Sequence, residues 1–236
     1  MTKDTNNRML GVVGGVGPLA SAEFLNTIYE IWAGVREQEL PRVVMSSDPT
    51  FPDRTEAFLE GKSDFMLNKL MGVLSGLADM GASKIVICCV TMHYLLPRLP
   101  SEMREKIVSL LDVIFESLLA NPRRSLLLCS NGTRRLELFE NHKLWSRSEG
   151  FIVLPDWRDQ QVVHEIIYKV KENHGAGELI RLLEPFEAKY KVDAFIAGCT
   201  EYHVLAKRSR ESVGDKAPRF LDPLTIIAER LTRDLV

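Results

Sequence analysis

Ile85-Val86-Ile87-Cys88-Cys89-Val90-Thr91-Met92-His93 and Ala194-Phe195-Ile196-Ala197-Gly198-Cys199-Thr200-Glu201-Tyr202-His203 share one pattern. Each is a short apolar run that ends in Cys and continues through Thr to His. They lie 110 positions apart in a chain of 236 residues. Apolar runs of this length suit strands buried on both faces of a parallel sheet. The segments after Met9 and after Arg124 stand in a similar relation, so the recurrence predicts two related halves.

Working outward, Met9–Val13, Arg42–Met45 and Lys84–Cys88 read as strands. Helical patterns cover Pro18–Val35 and Lys62–Met80 between them. Leu110–Phe115 fits either a strand or a helix. In the second half Ser125–Leu128, Phe151–Leu154, Ala194–Ala197 and Arg219–Leu221 read as strands. Gln160–Lys171, Glu178–Tyr190 and Pro223–Leu235 read as helices. Strand–helix alternation of this kind predicts an α/β fold with right-handed crossovers. We expect two pseudo-symmetric α/β domains, each around a mainly parallel sheet. Asn121-Pro122-Arg123-Arg124 breaks the helical pattern near the crossing. The first domain is placed at residues 1–105 with 219–236, and the second at 106–218.

Composition narrows the function. Hydrophobic residues make up 45% and charged residues 26%, ordinary for a globular protein. The formal net charge is −2 with no basic tract, which argues against nucleic acid as a partner. No apolar stretch approaches bilayer length. Met1–Met9 is polar and lacks the apolar core of a signal peptide, so no membrane association and a cytoplasmic location are expected. The four cysteines, Cys88, Cys89, Cys129 and Cys199, form no CxxC pair and no disulfide framework.

Ligands of open α/β sheets bind beyond the carboxyl ends of the strands, where Cys89 and Cys199 fall. A helix start after each would favour thiolate. A single strand cysteine is more often a small buried hydrophobe. Two at matching ends of related halves point instead to paired thiol chemistry. Cys88 alternates to the opposite face of its strand and reads as core. Cys129 precedes Ser130-Asn131-Gly132-Thr133, which resembles an anion-binding turn. Gly15-x-Gly17-x-x-Ala20 loosely matches a dinucleotide fingerprint, with Asp48 as the acidic residue near the second strand. The same glycine turn suits any carboxylate. Arg54 could clamp a carboxylate in bidentate fashion, although a loop arginine is usually solvated. Lys171 ends an amphipathic helix, where a lysine is often only a terminal charge. His93 and His203 suggest packing at helix starts.

Gly14-Gly15-Val16-Gly17-Pro18, Pro52-Asp53-Arg54-Thr55, Cys89-x-Thr91-x-His93 and Gly198-Cys199-Thr200-Glu201 resemble, in order and spacing, the aspartate/glutamate racemase superfamily, and within it the aspartate racemase type. The resemblance runs from Met9 to the final helix. It implies an active site in the cleft between two domains and racemisation with no pyridoxal phosphate, metal or other cofactor. It implies a small amino-acid substrate, with aspartate or glutamate foremost, and a homodimer. Cys89 and Cys199 match the two catalytic thiols, one removing the α-proton and the other returning a proton to the opposite face. Arg54 and Lys171 match the charged substrate-binding positions. Gly15, Val16, Gly17, Val90, Thr91, Asn131, Thr133, Thr200 and Glu201 complete the candidate substrate-binding set.

Related reactions of the superfamily, such as hydantoin racemisation or maleate isomerisation, fit the same residues. The decarboxylases keep one cysteine only. Outside the superfamily, a dinucleotide-dependent oxidoreductase or a non-catalytic amino-acid binder are the competing readings. One departure bears on substrate. Where the family reads Cys-Asn-Thr, this chain has Cys89-Val90-Thr91, and Val cannot make the polar contact that Asn supplies. Restoring it by Val90→Asn is expected to shift kcat/KM toward acidic substrates by about tenfold, one hydrogen bond's worth. An unchanged substrate profile across acidic and neutral amino acids would show that position 90 does not set specificity.

Overall fold

A computed structural model describes residues 9–231. The chain divides into two compact units. One runs through Leu110 and resumes at Leu224, and the other is Leu111–Pro223.

The first unit contains β1 (Met9–Gly14), α1 (Pro18–Ile31), β2 (Arg42–Ser47), α2 (Arg54–Leu59), α3 (Ser63–Asp79) and β3 (Lys84–Ile87). A 3-10 segment, Thr91–Arg98, then leads to α4 (Ser101–Arg104) and β4 (Ile107–Val108). The second unit carries α5 (Leu110–Ala120), which starts at the crossing, then β5 (Ser125–Leu128), α6 (Asn131–Arg135), α7 (Trp145–Ser148) and β6 (Ile152–Val153). It continues with α8 (Trp157–Lys171), α9 (Ala176–Tyr190), β7 (Ala194–Ala197), α10 (Glu201–Val213) and β8 (Phe220–Leu221). The last helix, α11 (Pro223–Arg230), returns the chain to the first unit. The sequence places the end of this helix at Leu235, outside the described residues.

Each unit holds one four-stranded sheet, and the two share one topology. The orders are β2-β1-β3-β4 and β6-β5-β7-β8. Every pairing is parallel. The predicted two α/β units on parallel sheets are therefore present. The central strands bury both faces: β5 (Ser-Leu-Leu-Leu) and β7 (Ala-Phe-Ile-Ala) are buried throughout. Helices cover the faces through stripes at helical spacing. On α3 the stripe is Met66, Leu70, Leu74 and Leu77, and on α8 it is Val163, Ile166, Ile167 and Val170.

Several boundaries differ from the sequence reading, each for a local reason. The division falls at Leu110 and Pro223 because Ile107–Val108 pairs with β3 and Phe220–Leu221 pairs with β7. Residues 106–110 thus belong to the first unit and 219–223 to the second. Leu110–Phe115 is helical. The segment after Cys89 is 3-10 helix rather than α-helix, and it contains Pro97. Pro52–Thr55 starts a helix: Asp53 caps α2, its carboxylate accepting from the N–H groups of Thr55 (2.9 Å) and Glu56 (3.2 Å). No helix among the described residues is long and apolar enough to cross a membrane.

Gly15 shows how tightly the β1 turn is built. Its φ is +78°, and an added Cβ would lie 2.3 Å from the backbone of Asp48. Gly72, inside α3, has nothing within 4 Å of an added Cβ. We therefore expect Gly15→Ala to destabilise the chain by at least about 1–3 kcal/mol. Gly72→Ala should stabilise it by roughly 0.5–1 kcal/mol. Urea midpoints check both, and equal midpoints for the two variants would contradict the Gly15 constraint.

Candidate active site

In a sheet of order 2-1-3-4 the connections leaving the first and third strands diverge, opening a crevice at their carboxyl ends. In the first unit the crevice lies between the loop after β1 and the loop after β3. In the second it lies between the loops after β5 and β7. The sequence-predicted residues divide between these places.

In the first unit the Gly15–Gly17 turn and Cys89 end the neighbouring strands β1 and β3. Gly15 N–H donates to Ser21 Oγ at 3.2 Å, so Ser21, on α1, ties the turn down. Arg54 reaches the same turn, with Nη2 donating to Val16 O at 3.2 Å and Nη1 donating to Pro52 O at 3.1 Å. Cys89, Val90 and Thr91 are buried in sequence, with Cys89 5% exposed. His93 accounts for part of that order. Its Nδ1 lies 3.0 Å from Cys89 O, and its Nε2 accepts from Leu110 N–H at 2.9 Å. Accepting at Nε2 puts the proton on Nδ1, which donates to the Cys89 carbonyl. Asp48 is engaged elsewhere. It accepts from Thr50 N–H (2.8 Å) and Thr50 Oγ (2.6 Å) and pairs with Lys69 at 3.1 Å. The Thr50 contacts lead in pulling its carboxyl down to about 2. A carboxylate committed in this way is a poor ribose ligand, which weakens the dinucleotide reading.

In the second unit Cys199, Thr200 and Glu201 lie at the junction of β7 and α10, all buried. Cys199 Sγ donates to Glu201 Oε2 at 2.9 Å, and Glu201 Oε1 is buried with no partner. Glu201 is 3% exposed and sits in the first turn of α10, where the helix dipole favours a carboxylate. Gly198 lets β7 close on β5, since an added Cβ would lie 2.6 Å from Leu127 and 3.0 Å from Cys129. His203 Nδ1 lies 2.6 Å from Asp222 Oδ2, both buried. The expected packing role of the two histidines thus takes the form of hydrogen bonds to the residues at the chain crossings.

At the end of β5, Ser130 caps α6 by accepting from Thr133 N–H at 3.1 Å. Asn131 is held by α8: its Nδ2 donates to Gln161 Oε1 (3.0 Å) and its N–H donates to His164 Nδ1 (3.3 Å). Burial pushes the Cys129 thiol up to about 12, which removes it from thiolate chemistry. Lys171 is not brought into this group. It is the last residue of α8, roughly 16 Å along the axis from Gln160, with Nζ 4.2 Å over the Tyr168 ring. A hollow of about 540 Å³ in this unit, lined by Arg181, Asp193 and Arg219 among others, lies at the amino ends of β7 and β8, opposite Cys199. Among the described residues no three His, Cys, Asp or Glu side chains converge as metal ligands.

Sequence reasoning missed Gln160, which donates to Cys129 O at 2.8 Å and to Asn131 Oδ1 at 3.2 Å. No local pattern marks it, because its partners lie about thirty residues upstream.

The fold has solved counterparts. The aspartate racemase of Picrophilus torridus superposes with a TM-score of 0.80 at 24% identity, covering 97% of this chain and 94% of that one. An aspartate racemase homologue from Pyrococcus horikoshii OT3 gives 0.65 at 18% identity, over 95% and 97% of the two chains. The glutamate racemase of Campylobacter jejuni subsp. jejuni gives 0.64 at 18%, over 95% and 84%. Residues 13–231 match the family described as Asp/Glu/Hydantoin racemase. With the paired strand-end cysteines and the repeated sheet topology, that match over nearly the whole sequence makes this chain a member of the Asp/Glu/Hydantoin racemase family.

Proposed function

We propose that this chain racemises an acidic amino acid, aspartate or glutamate, by proton transfer between Cys89 and Cys199, without pyridoxal phosphate. The observation that carries the reading is the buried Cys199–Glu201 contact. A thiol that donates to a carboxylate is a proton donor in waiting, and the carboxylate is a ready acceptor when the thiol must be deprotonated.

In this reading the thiolate of Cys89 takes the α-proton from one enantiomer. The electron pair of the broken C–H bond delocalises into the substrate carboxylate. Cys199 then delivers its own proton to the opposite face of Cα. In the reverse direction Cys199, left as thiolate by the forward step, takes the α-proton and Cys89 returns its proton to the opposite face, while Glu201 accepts from the Cys199 thiol whenever it is protonated. Arg54, fixed by the Val16 and Pro52 carbonyls, receives a substrate carboxylate, and Asn131 contributes an amide hydrogen. A carbanion of this kind needs preorganised donors, and both sets of residues are held by neighbouring backbone or side-chain contacts.

The test is α-proton exchange in D2O with both enantiomers of aspartate and glutamate, followed by NMR together with chiral analysis. Wild-type chain should exchange and racemise. Cys89→Ala and Cys199→Ala should each abolish racemisation, any residual exchange being confined to one enantiomer. Glu201→Gln should slow the reaction by roughly 10²–10⁴-fold, the contribution of a positioned acid or base. Full racemisation by either alanine variant sinks the two-thiol reading.

A further inference from the structure

Gln160, in the first turn of α8, is fully buried. Its Nε2 donates at 2.8 Å to Cys129 O and at 3.2 Å to Asn131 Oδ1, while Oε1 is buried without a partner. The orientation of this amide is determined by those contacts, since a flipped amide would set its oxygen against two oxygens. Two further side chains of the same helix engage the same residue: Gln161 accepts from Asn131 Nδ2, and His164 accepts from Asn131 N–H. Asn131 is thereby held at its backbone, at its amide oxygen and at one of its amide hydrogens. Nδ2 carries a second hydrogen.

Packing alone does not account for Gln160. A buried amide oxygen with no donor is a cost that an apolar side chain of the same length would avoid, and what the amide gains in exchange is its grip on Cys129 O and Asn131 Oδ1. The residue it grips is one that the racemase reading places against substrate.

We propose that Gln160 is a positioning residue of the active site, orienting the Asn131 amide so that its second Nδ2 hydrogen meets the substrate. This rests on the racemase reading of the same site. Gln160 acts through Asn131, so its loss is felt in substrate binding before proton transfer.

The experiment compares wild-type chain, Gln160→Met, Asn131→Ala and the double variant in the racemisation assay, with circular dichroism as the check on folding. Gln160→Met should raise KM about tenfold, the effect of one misplaced hydrogen bond, and leave kcat nearly unchanged. In the Asn131→Ala background the same substitution should change KM by less than about twofold, because residues that act through one contact are not additive. Should the methionine variant fail to fold, Gln160→Leu, which likewise has no donor, is measured in the same way. A wild-type KM in the Gln160 variant, or a fully additive double variant, overturns the proposal and leaves the racemase reading intact. No racemisation by the wild-type chain overturns both.

Discussion

Parallel pairing of the first strand with the third, β1 with β3 and β5 with β7, is the constraint on which each unit depends. Both strands are central, so most of their residues are apolar on both faces and leave little room for chemistry within the sheet. Polar and reactive side chains are displaced to the carboxyl ends. The second strand lies on the far side of the first, so the chain leaves β1 and β3 in opposite directions and the two loops bracket a crevice. The glycine turn and Cys89 occupy the ends of one such pair, and Ser130-Asn131 and Cys199 the ends of the other.

Within this shared frame the two histidines do equivalent work. Each follows its cysteine by four residues, and each bonds to a residue at or beside a point where the chain crosses between units: Leu110 for His93, Asp222 for His203. Aligning the halves on these histidines sets Thr91 opposite Glu201 and Val90 opposite Thr200. The frame repeats while the immediate neighbours of the thiols do not. In the proposed two-thiol reading, a base on one face and an acid on the other are served by such unlike settings, because identical ones would favour the same protonation state at both sulfurs.

The parts of the fold carried by local pattern were readable. The apolar runs at Met9, Lys84, Ser125 and Ala194 announce central strands, and the internal repeat announces two units. The edge strands β6 and β8 were read at Phe151–Leu154 and Arg219–Leu221, but the two-residue β4 was not, and β8 pairs with β7 rather than joining the first unit, which moved the domain boundaries by a few residues. The helix at Arg54 had a legible signal in Asp53-x-x-Glu56, a capping pattern hidden beside the conspicuous arginine. The strand-end placement of Cys89 and Cys199 was legible through their repetition. Gln160 was not, since its role is written in contacts across the fold rather than in its neighbours along the chain.

Cys129 and Cys199 show how far depth alone decides what a thiol does. They flank the contact at Gly198, on adjacent strands, and both are buried. Burial is the largest cause that pushes the Cys129 thiol up to about 12, and the Arg134 charge only partly opposes it. Cys199 is buried as well. Its partner differs: Glu201, two residues on, accepts from the sulfur at 2.9 Å with one oxygen and keeps the other unpartnered. A buried, half-satisfied carboxylate is costly, and a fold under no demand beyond stability would replace it. Its position in the first turn of α10 offsets part of that cost through the helix dipole. The junction of β7 and α10 therefore holds a buried, half-satisfied carboxylate against the Cys199 thiol, the contact on which the proposed two-thiol reading rests.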